Sequence, residues 1–285
     1  MPGELDIMIP TCDRPAALAV TLTSLLGQSL AHELRIVVSD QGEPPLDEAD
    51  LAATAGLREL VAVRRVLQAA GLLVEWHTHL PRRGMAEQRQ FLLDHTTAPY
   101  ALFLDDDLVL EPDVVARLLR VLRRERCGFV GAMPIGLSYL HDVRPQEQLI
   151  EFWDGPVEPE TIVPGSAAWM RHDQHNAANI HHIAERLGVD KTNERLYRVA
   201  WVGGCVLYDT AALRDVGGFG FWQELPAAHA GEDVLAQLRV MARYGGCGLL
   251  PSGVYHQELP TTVHDRSTDA PWALPLEPGL GQDSA

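Results

Sequence analysis

The sequence predicts an α/β fold: one domain with a mostly parallel central sheet, helices on both faces and an irregular insertion. Three observations predict it. Short apolar runs alternate with helical patterns through the first half, three of those runs end in polar clusters, and periodicity fades between about residues 137 and 193. Strands that alternate with helices imply βαβ units. A sheet built from them is covered on both faces, so its strands read as nearly continuous apolar runs.

In chain order, Leu5–Ile9 is a short strand followed by Pro10, and Pro15–Leu26 has apolar residues at helical spacing. Leu34–Val38 is a second strand, and Asp47–Ala70 is helical in pattern with a break near Gly56. Leu72–Trp76 is a third strand, Gly84–His95 a helix, Tyr100–Leu104 a fourth strand, Pro112–Arg126 an amphipathic helix and Phe129–Met133 a fifth strand. The stretch after Leu137 is rich in Pro, His, Trp and Asn and shows little periodicity. Regular patterns then return: a strand over Tyr197–Tyr208, short and long helices at Thr210–Asp215 and Gly231–Tyr244, and a last strand over Gly248–His256. The expected organisation is a regular first half over residues 1–135, a second half of the same domain over 136–264, and a flexible tail or lid over 265–285.

Composition narrows the function. The 285 residues hold 23 Lys and Arg against 39 Asp and Glu, a formal charge of −16, which disfavours nucleic acid as a partner. A phosphorylated ligand stays open, because a bound cation reverses the local sign. No apolar run reaches the roughly 18 residues of a membrane span, and the acidic start lacks the pattern of a signal peptide. The four cysteines, Cys12, Cys127, Cys205 and Cys247, stand far apart with no CxxC pair. Together these features predict a cytoplasmic protein with no transmembrane segment. A homo-oligomer is left open.

Ligands of open parallel sheets sit beyond the carboxyl ends of the strands. Thr11-Cys12-Asp13, Ser39-Asp40-Gln41 and Asp105-Asp106-Asp107 all fall there. Three adjacent carboxylates repel one another, and a divalent cation such as Mn2+ or Mg2+ relieves the repulsion. The plainer alternative is a solvated turn before the next helix. His256, at a strand end, is a plausible further ligand. Glu232-Asp233 opens a helix, where acids interact well with the dipole, and it also suits a general base. The dipole and a nearby cation are expected to lower the pKa of Asp233. Arg82-Arg83-Gly84 and Arg89 bring cations and a helix start to the same edge, as a diphosphate requires. The paired glycines of Trp201-Val202-Gly203-Gly204 allow close approach of a ligand or another backbone, or simply mark a bulge. Trp153, Trp169, Trp222 and Trp272 are candidates to stack on sugars, although each type is more often core. The cluster His172, His175, His181 and His182 has no zinc-site spacing.

In this order the pieces resemble the GT-A glycosyltransferases, most closely glycosyltransferase family 2. Pro10-Thr11-Cys12-Asp13-Arg14-Pro15 is similar to that family's nucleotide loop, and Ser39-Asp40-Gln41-Gly42 to its second loop, whose Asp contacts the base. Gly84 with Arg89 and Gln90 is similar to its Gly-to-Arg-Asn stretch, with Gln90 in place of Asn. Asp105-Asp106-Asp107 resembles its DxD motif, which implies Asp107 as the main metal ligand and Asp105 near the ribose or the metal. From Val202-Gly203-Gly204 through Glu232-Asp233 to His256 the chain resembles the acceptor-side region of galactosyl- and N-acetylgalactosaminyl-transferases. There the Glu-Asp pair supplies the acid or base, and the later His binds the metal.

The resemblance implies a metal-dependent transferase acting on a nucleotide-diphosphate sugar, with a UDP-sugar favoured and inversion expected. It places Asp233 and Glu232 in catalysis and Pro10, Thr11, Asp13, Arg14, Asp40, Arg83, Gly84, Arg89, Asp105 and Asp106 at the nucleotide sugar. Asp107, His256 and Asp105 fall at the metal, and Trp201, Gly203 and Gly204 at the acceptor. A retaining transferase and a non-catalytic nucleotide-sugar binder are the alternatives. A nucleotidyl transferase or dinucleotide oxidoreductase would need a Gly-rich loop after the first strand, where Pro10–Pro15 stands instead.

Overall fold

The computed structural model describes residues 3–31, 34–43, 56–263 and 265–277. Its main sheet has eight strands in the order β3-β2-β1-β4-β9-β6-β10-β8. These are β1 (Leu5–Thr11), β2 (Leu34–Asp40), β3 (Leu73–Thr78), β4 (Tyr100–Leu104), β6 (Phe129–Gly131), β8 (Arg195–Tyr197), β9 (Cys205–Asp209) and β10 (Gly246–Leu250). Strands β1 to β4 pair in parallel, as do β6 and β10, while β9 and β8 run against their neighbours. The predicted mostly parallel α/β sheet is therefore what the chain forms.

Period-two alternation divides the apolar residues between two cores. Leu5, Ile7 and Ile9 of β1 and Leu102 and Leu104 of β4 face one cluster; Met8, Ala101 and Phe103 face the other. The first core is closed by α1 (Pro15–Leu26), α2 (Leu57–Ala69) and α4 (Val114–Glu125). The second is closed by α3 (Met85–His95), α5 (Asn179–Leu187), α6 (Thr210–Asp215) and α7 (Glu232–Tyr244). Of the predicted helix over Asp47–Ala70, residues 47–55 lie outside the described residues, and the part beyond Gly56 is α2.

Two predicted strands are each two strands. Tyr197–Tyr208 divides into the end of β8 and β9, and the intervening backbone returns to the carboxyl edge at Gly204. Gly248–His256 divides at Pro251 into β10 and β11 (Val254–His256). Strand β11 belongs to a second, three-stranded sheet with β5 (Leu108–Leu110) and β7 (Ile135–Gly136). In that sheet His256 pairs opposite Leu108, the residue after the acid triplet. The small sheet thus brings together two groups far apart in sequence.

Over its described part the tail is hydrogen-bonded to the residue that precedes Gly231 and α7. Ala230 N–H donates to the Thr268 carbonyl at 2.9 Å, Ala270 N–H donates to the Ala230 carbonyl at 2.8 Å, and α8 (Ala270–Ala273) follows. Residues 278–285 of the predicted lid lie outside the described residues. No helix among the described residues is long and apolar enough to cross a membrane.

Candidate active site at the carboxyl edge of the sheet

A cavity of about 580 Å3 opens where β1 and β4 end, within the range of small-molecule sites. Its wall includes Pro10, Thr11 and Arg14 after β1, Asp105, Asp106 and Asp107 after β4, and Arg89 of α3. Glu232 and Asp233 come from the start of α7, His256 from the end of β11, and Trp201 from the return before β9. Eleven of the predicted site residues therefore share one cavity. Six carboxylates line it against three guanidiniums, so it carries a negative excess.

Short bonds fix the triplet. Thr11 Oγ1 donates to Asp106 Oδ2 at 2.6 Å, and Asp105 N–H donates to the Gly204 carbonyl at 2.8 Å. The buried Thr21 hydroxyl donates to the Asp106 carbonyl at 2.7 Å and accepts from Leu108 N–H at 3.1 Å. Arg14 Nη1 lies 3.3 Å from Asp106 Oδ1 and 2.9 Å from Asp107 Oδ2, and Nη2 donates to the Pro260 carbonyl. Gly204 has φ +71°, and a Cβ there would sit 3.3 Å from Asp105 Oδ2, so a side chain would be both strained and crowded. Burial pushes the Asp106 carboxyl up to about 6, against the opposing Thr11 hydrogen bond and Arg14. Burial also raises Asp107, and the facing His256 restrains it.

The second acidic pair is joined to the first by a buried arginine. Arg89 Nη2 donates to Asp105 Oδ1 at 3.0 Å, and Arg89 Nε donates to Glu232 Oε1 at 3.1 Å. Gly231, with φ +74°, turns the chain into α7, and a Cβ there would lie only 2.1 Å from Asp269 Oδ1. The Asp233 carboxyl is held above the ordinary carboxylate range by burial and by the neighbouring Glu232 charge. This reverses the lowering expected from the helix dipole and a nearby cation: Arg89 acts in that direction but is outweighed.

Asp107 Oδ2 and His256 Nε2 are 3.6 Å apart. His256 Nδ1 accepts from Glu258 N–H at 2.6 Å, which leaves Nε2 facing the carboxylate. Two donors at about 2.1 Å from one ion can be at most about 4.2 Å apart, so the spacing suits a divalent cation, but an accepting Nδ1 puts the ring proton on Nε2, and Nε2 would bind an ion only in the other tautomer, without the Glu258 bond. Among the described residues no set of three or more His, Cys, Asp or Glu converges on one point.

The remaining predicted residues lie around the cavity and do not line it. Asp40 is buried at the end of β2, with Oδ1 accepting from Gly42 N–H at 2.8 Å. Asp13 is exposed and accepts from Glu43 N–H at 2.9 Å and from Arg82 Nη2 at 2.8 Å. Arg82 also donates to the Gln41 carbonyl at 2.6 Å, so of the two exposed arginines it is Arg82 that reaches the loops after β1 and β2. Gly84 packs on His229, and Gly203 has open space around it.

Sequence reasoning missed several contributors. Thr261, Thr262 and Val263 line the cavity from the segment before the tail, and Arg266 and Asp269 from the tail itself. The fully buried Gln237 of α7 donates to the Val202 carbonyl and accepts from Val202 N–H, each at 2.8 Å, and so fixes the backbone between Trp201 and Gly203. A glutamine on the apolar face of a helix is the signal that could have found it. Of the four tryptophans singled out, Trp169 lies beside Trp201 at 4.7 Å between ring centroids and Trp272 lies 5.8 Å from Trp169, with His172 5.0 Å from Trp201, whereas Trp153 and Trp222 pack against the two cores.

The fold is of the GT-A type. The family model described as Glycosyl transferase family 2 matches residues 77–176, the stretch that holds Arg89 and the acid triplet. Over 152 residues the chain is 30% identical to galactofuranosyltransferase GlfT2 of Mycolicibacterium smegmatis, covering 49% of this chain and 22% of that protein. Over 128 residues it is 31% identical to the succinoglycan biosynthesis protein ExoM of Rhizobium meliloti, covering 43% of this chain and 37% of that one. The aligned part is thus well under half of either relative. In fold the chain is similar to residues 1–349 of S. aureus TarS in complex with UDP-GlcNAc, with a TM-score of 0.56 and 14% identity over 91% of this chain and 60% of that one. It is also similar to the mannosyltransferase PcManGT of Pyrobaculum calidifontis in complex with GDP-Man and Mn2+, with a TM-score of 0.50 and 16% identity over 87% of this chain and 57% of that one. The family 2 likeness in sequence is thus confined to residues 77–176, and beyond it the likeness is one of fold.

Proposed function

We propose that this protein transfers a sugar from a nucleotide-diphosphate sugar, with a UDP-sugar favoured, to an acceptor hydroxyl with inversion at the anomeric carbon. One observation carries the reading: the acid triplet, His256 and the Glu232-Asp233 pair, separated widely in sequence, line a single cavity at the carboxyl edge of the sheet. The relative named for galactofuranosyl transfer and the fold neighbours in complex with UDP-GlcNAc and GDP-Man support a sugar-nucleotide donor.

In this reading the loops at Pro10–Arg14 and Asp40 hold the nucleoside, and Arg82 braces the first loop through Asp13. A Mn2+ or Mg2+ ion held by Asp107 and His256, with Asp105 alongside, would supply positive charge to neutralise the departing diphosphate. Asp233 takes the proton of the acceptor hydroxyl as that oxygen attacks the face opposite the leaving group. Its elevated pKa makes it a stronger base than an ordinary carboxylate. Arg89 holds Glu232 and Asp105 in one frame, which fixes the base relative to the donor. Trp201 and the aromatic side chains beside it form the acceptor wall. Residues 1–135 act as the donor half, 136–264 as the acceptor half and 265–285 as the cover. The four unbridged cysteines support a reducing, cytoplasmic setting.

The test is incubation with a panel of nucleotide sugars, with and without Mn2+, followed by NMR of the product anomer. Turnover with inversion supports the proposal. Retention removes Asp233 as the direct base, and donor binding without any turnover or hydrolysis would leave only a binding protein.

A further inference from the structure

Asp107 Oδ2 has two neighbours of opposite consequence. It is the oxygen that faces His256 Nε2 at 3.6 Å, and it is also the oxygen that accepts from Arg14 Nη1 at 2.9 Å. The Arg14 side chain is only 16% exposed, and its two carboxylate partners are 8% and 6% exposed, so this contact is far from a loose surface pair. Arg14 also spans outward: its second terminal nitrogen donates to the Pro260 carbonyl. Pro260 lies in the segment whose Leu259, Thr261, Thr262 and Val263 line the cavity. One guanidinium therefore ties the acid triplet to the wall that closes over it.

We infer that Arg14 is an internal counter-cation that competes with the divalent ion for Asp107, and that its displacement frees the segment around Pro260. This rests on the metal-dependent reading above. A guanidinium and a divalent cation cannot share one carboxylate oxygen at contact distance without strong mutual repulsion. Without the ion, Arg14 offsets the repulsion within the triplet and holds the 257–263 wall. With the ion in place, Arg14 leaves Asp107 and loses its fixed position beneath Pro260. Arg14 is thus a positioning residue that couples cation binding to the cavity wall.

The test uses the whole chain and Mn2+ alone, without nucleotide. Free Mn2+ is titrated by EPR against wild type, Arg14→Gln, Arg14→Lys and Asp107→Asn, with circular dichroism to confirm folding. Arg14→Gln is expected to bind Mn2+ roughly tenfold more tightly than wild type, because a charge-assisted contact no longer opposes the ion. Arg14→Lys, a point charge that cannot span both carboxylates, is expected to fall between the two. Hydrogen exchange over residues 257–263 should rise in wild type on adding Mn2+, and should already be raised in metal-free Arg14→Gln. Equal or weaker Mn2+ binding by Arg14→Gln, while Asp107→Asn loses it, overturns the inference and leaves the metal reading standing. If wild type binds no more Mn2+ than Asp107→Asn, both fall together. Should Arg14→Gln fail to fold, Arg14→Lys carries the test, and wild-type affinity in that variant overturns the inference.

Discussion

The two sides of this cavity, the proposed donor edge and the proposed acceptor side, are built by different means. At the donor edge, Thr11, Asp40 and Asp105 stand at the ends of parallel strands whose backbone ladders set their spacing. On the acceptor side, Trp201 sits on irregular backbone held by side chains: Gln237 grips Val202 from both sides, and the His175 ring lies 3.0 Å from the Tyr197 hydroxyl and also hydrogen-bonds the Trp201 backbone. Position set by a ladder is shared among many bonds. Position set by a few buried side chains depends on each of them, so the two regions should fail differently.

Four substitutions probe that contrast. The largest effect is expected from Asp233→Asn, which should lower kcat by about 10³- to 10⁴-fold while donor affinity, measured by calorimetry, stays near wild type. Because the Asp233 carboxyl is held above its ordinary range, the wild-type rate should fall with acid at a pH well above that of a free carboxylate, and the variant should lack that limb. A variant that retains rate would remove the base from α7. Next is Gln237→Leu, which leaves two buried backbone groups of Val202 unpaired and should cost about 2–4 kcal/mol of stability, read by denaturant unfolding. A loss below about 1 kcal/mol would mean that the acceptor side has a ladder-like redundancy of its own.

His256→Ala should weaken Mn2+ binding about ten- to a hundredfold with little change in unfolding, since the imidazole acts at the donor edge and not in the core. An effect that shows only on acidification concerns His175, whose ring is buried and whose pKa is pushed down to about 3 by that burial and then by His172. Its folded pKa lies below the unfolded value, so the neutral ring contributes stability that is complete above about pH 6.5 and is lost as pH falls toward 3. The slope should approach 1.4 kcal/mol per pH unit as an order of magnitude, and His175→Gln should flatten it in urea titrations between pH 7 and 4. An unchanged slope would remove His175 as the acid-sensitive point of the acceptor side.

What could be read from residues alone follows the same division. Leu5–Ile9 and Tyr100–Leu104 are apolar runs with punctuated ends, so the strands and their polar termini were visible without coordinates. Strands of two or three residues, such as Leu108–Leu110 and Ile135–Gly136, are too short to show a period, and the second sheet was invisible. The division of Gly248–His256 between two sheets depends on which neighbours each part meets, and pattern does not carry that information. Asn179–Leu187 lies in the stretch of weak periodicity, where nothing in the pattern marks out its helix. Asp233 was expected to have a lowered pKa because a helix start is visible in sequence, whereas its burial beside Glu232 is a property of the packed cavity. The contact of Arg14 with Asp107 spans 93 positions, and no local signal announces it.

The pairing of Val254–His256 against Leu108–Leu110 also has a consequence in time. A nascent chain leaves the ribosome with its acid triplet long before the imidazole that faces it has been synthesised. Until the chain has been extended through His256, those carboxylates lack the imidazole that completes the centre.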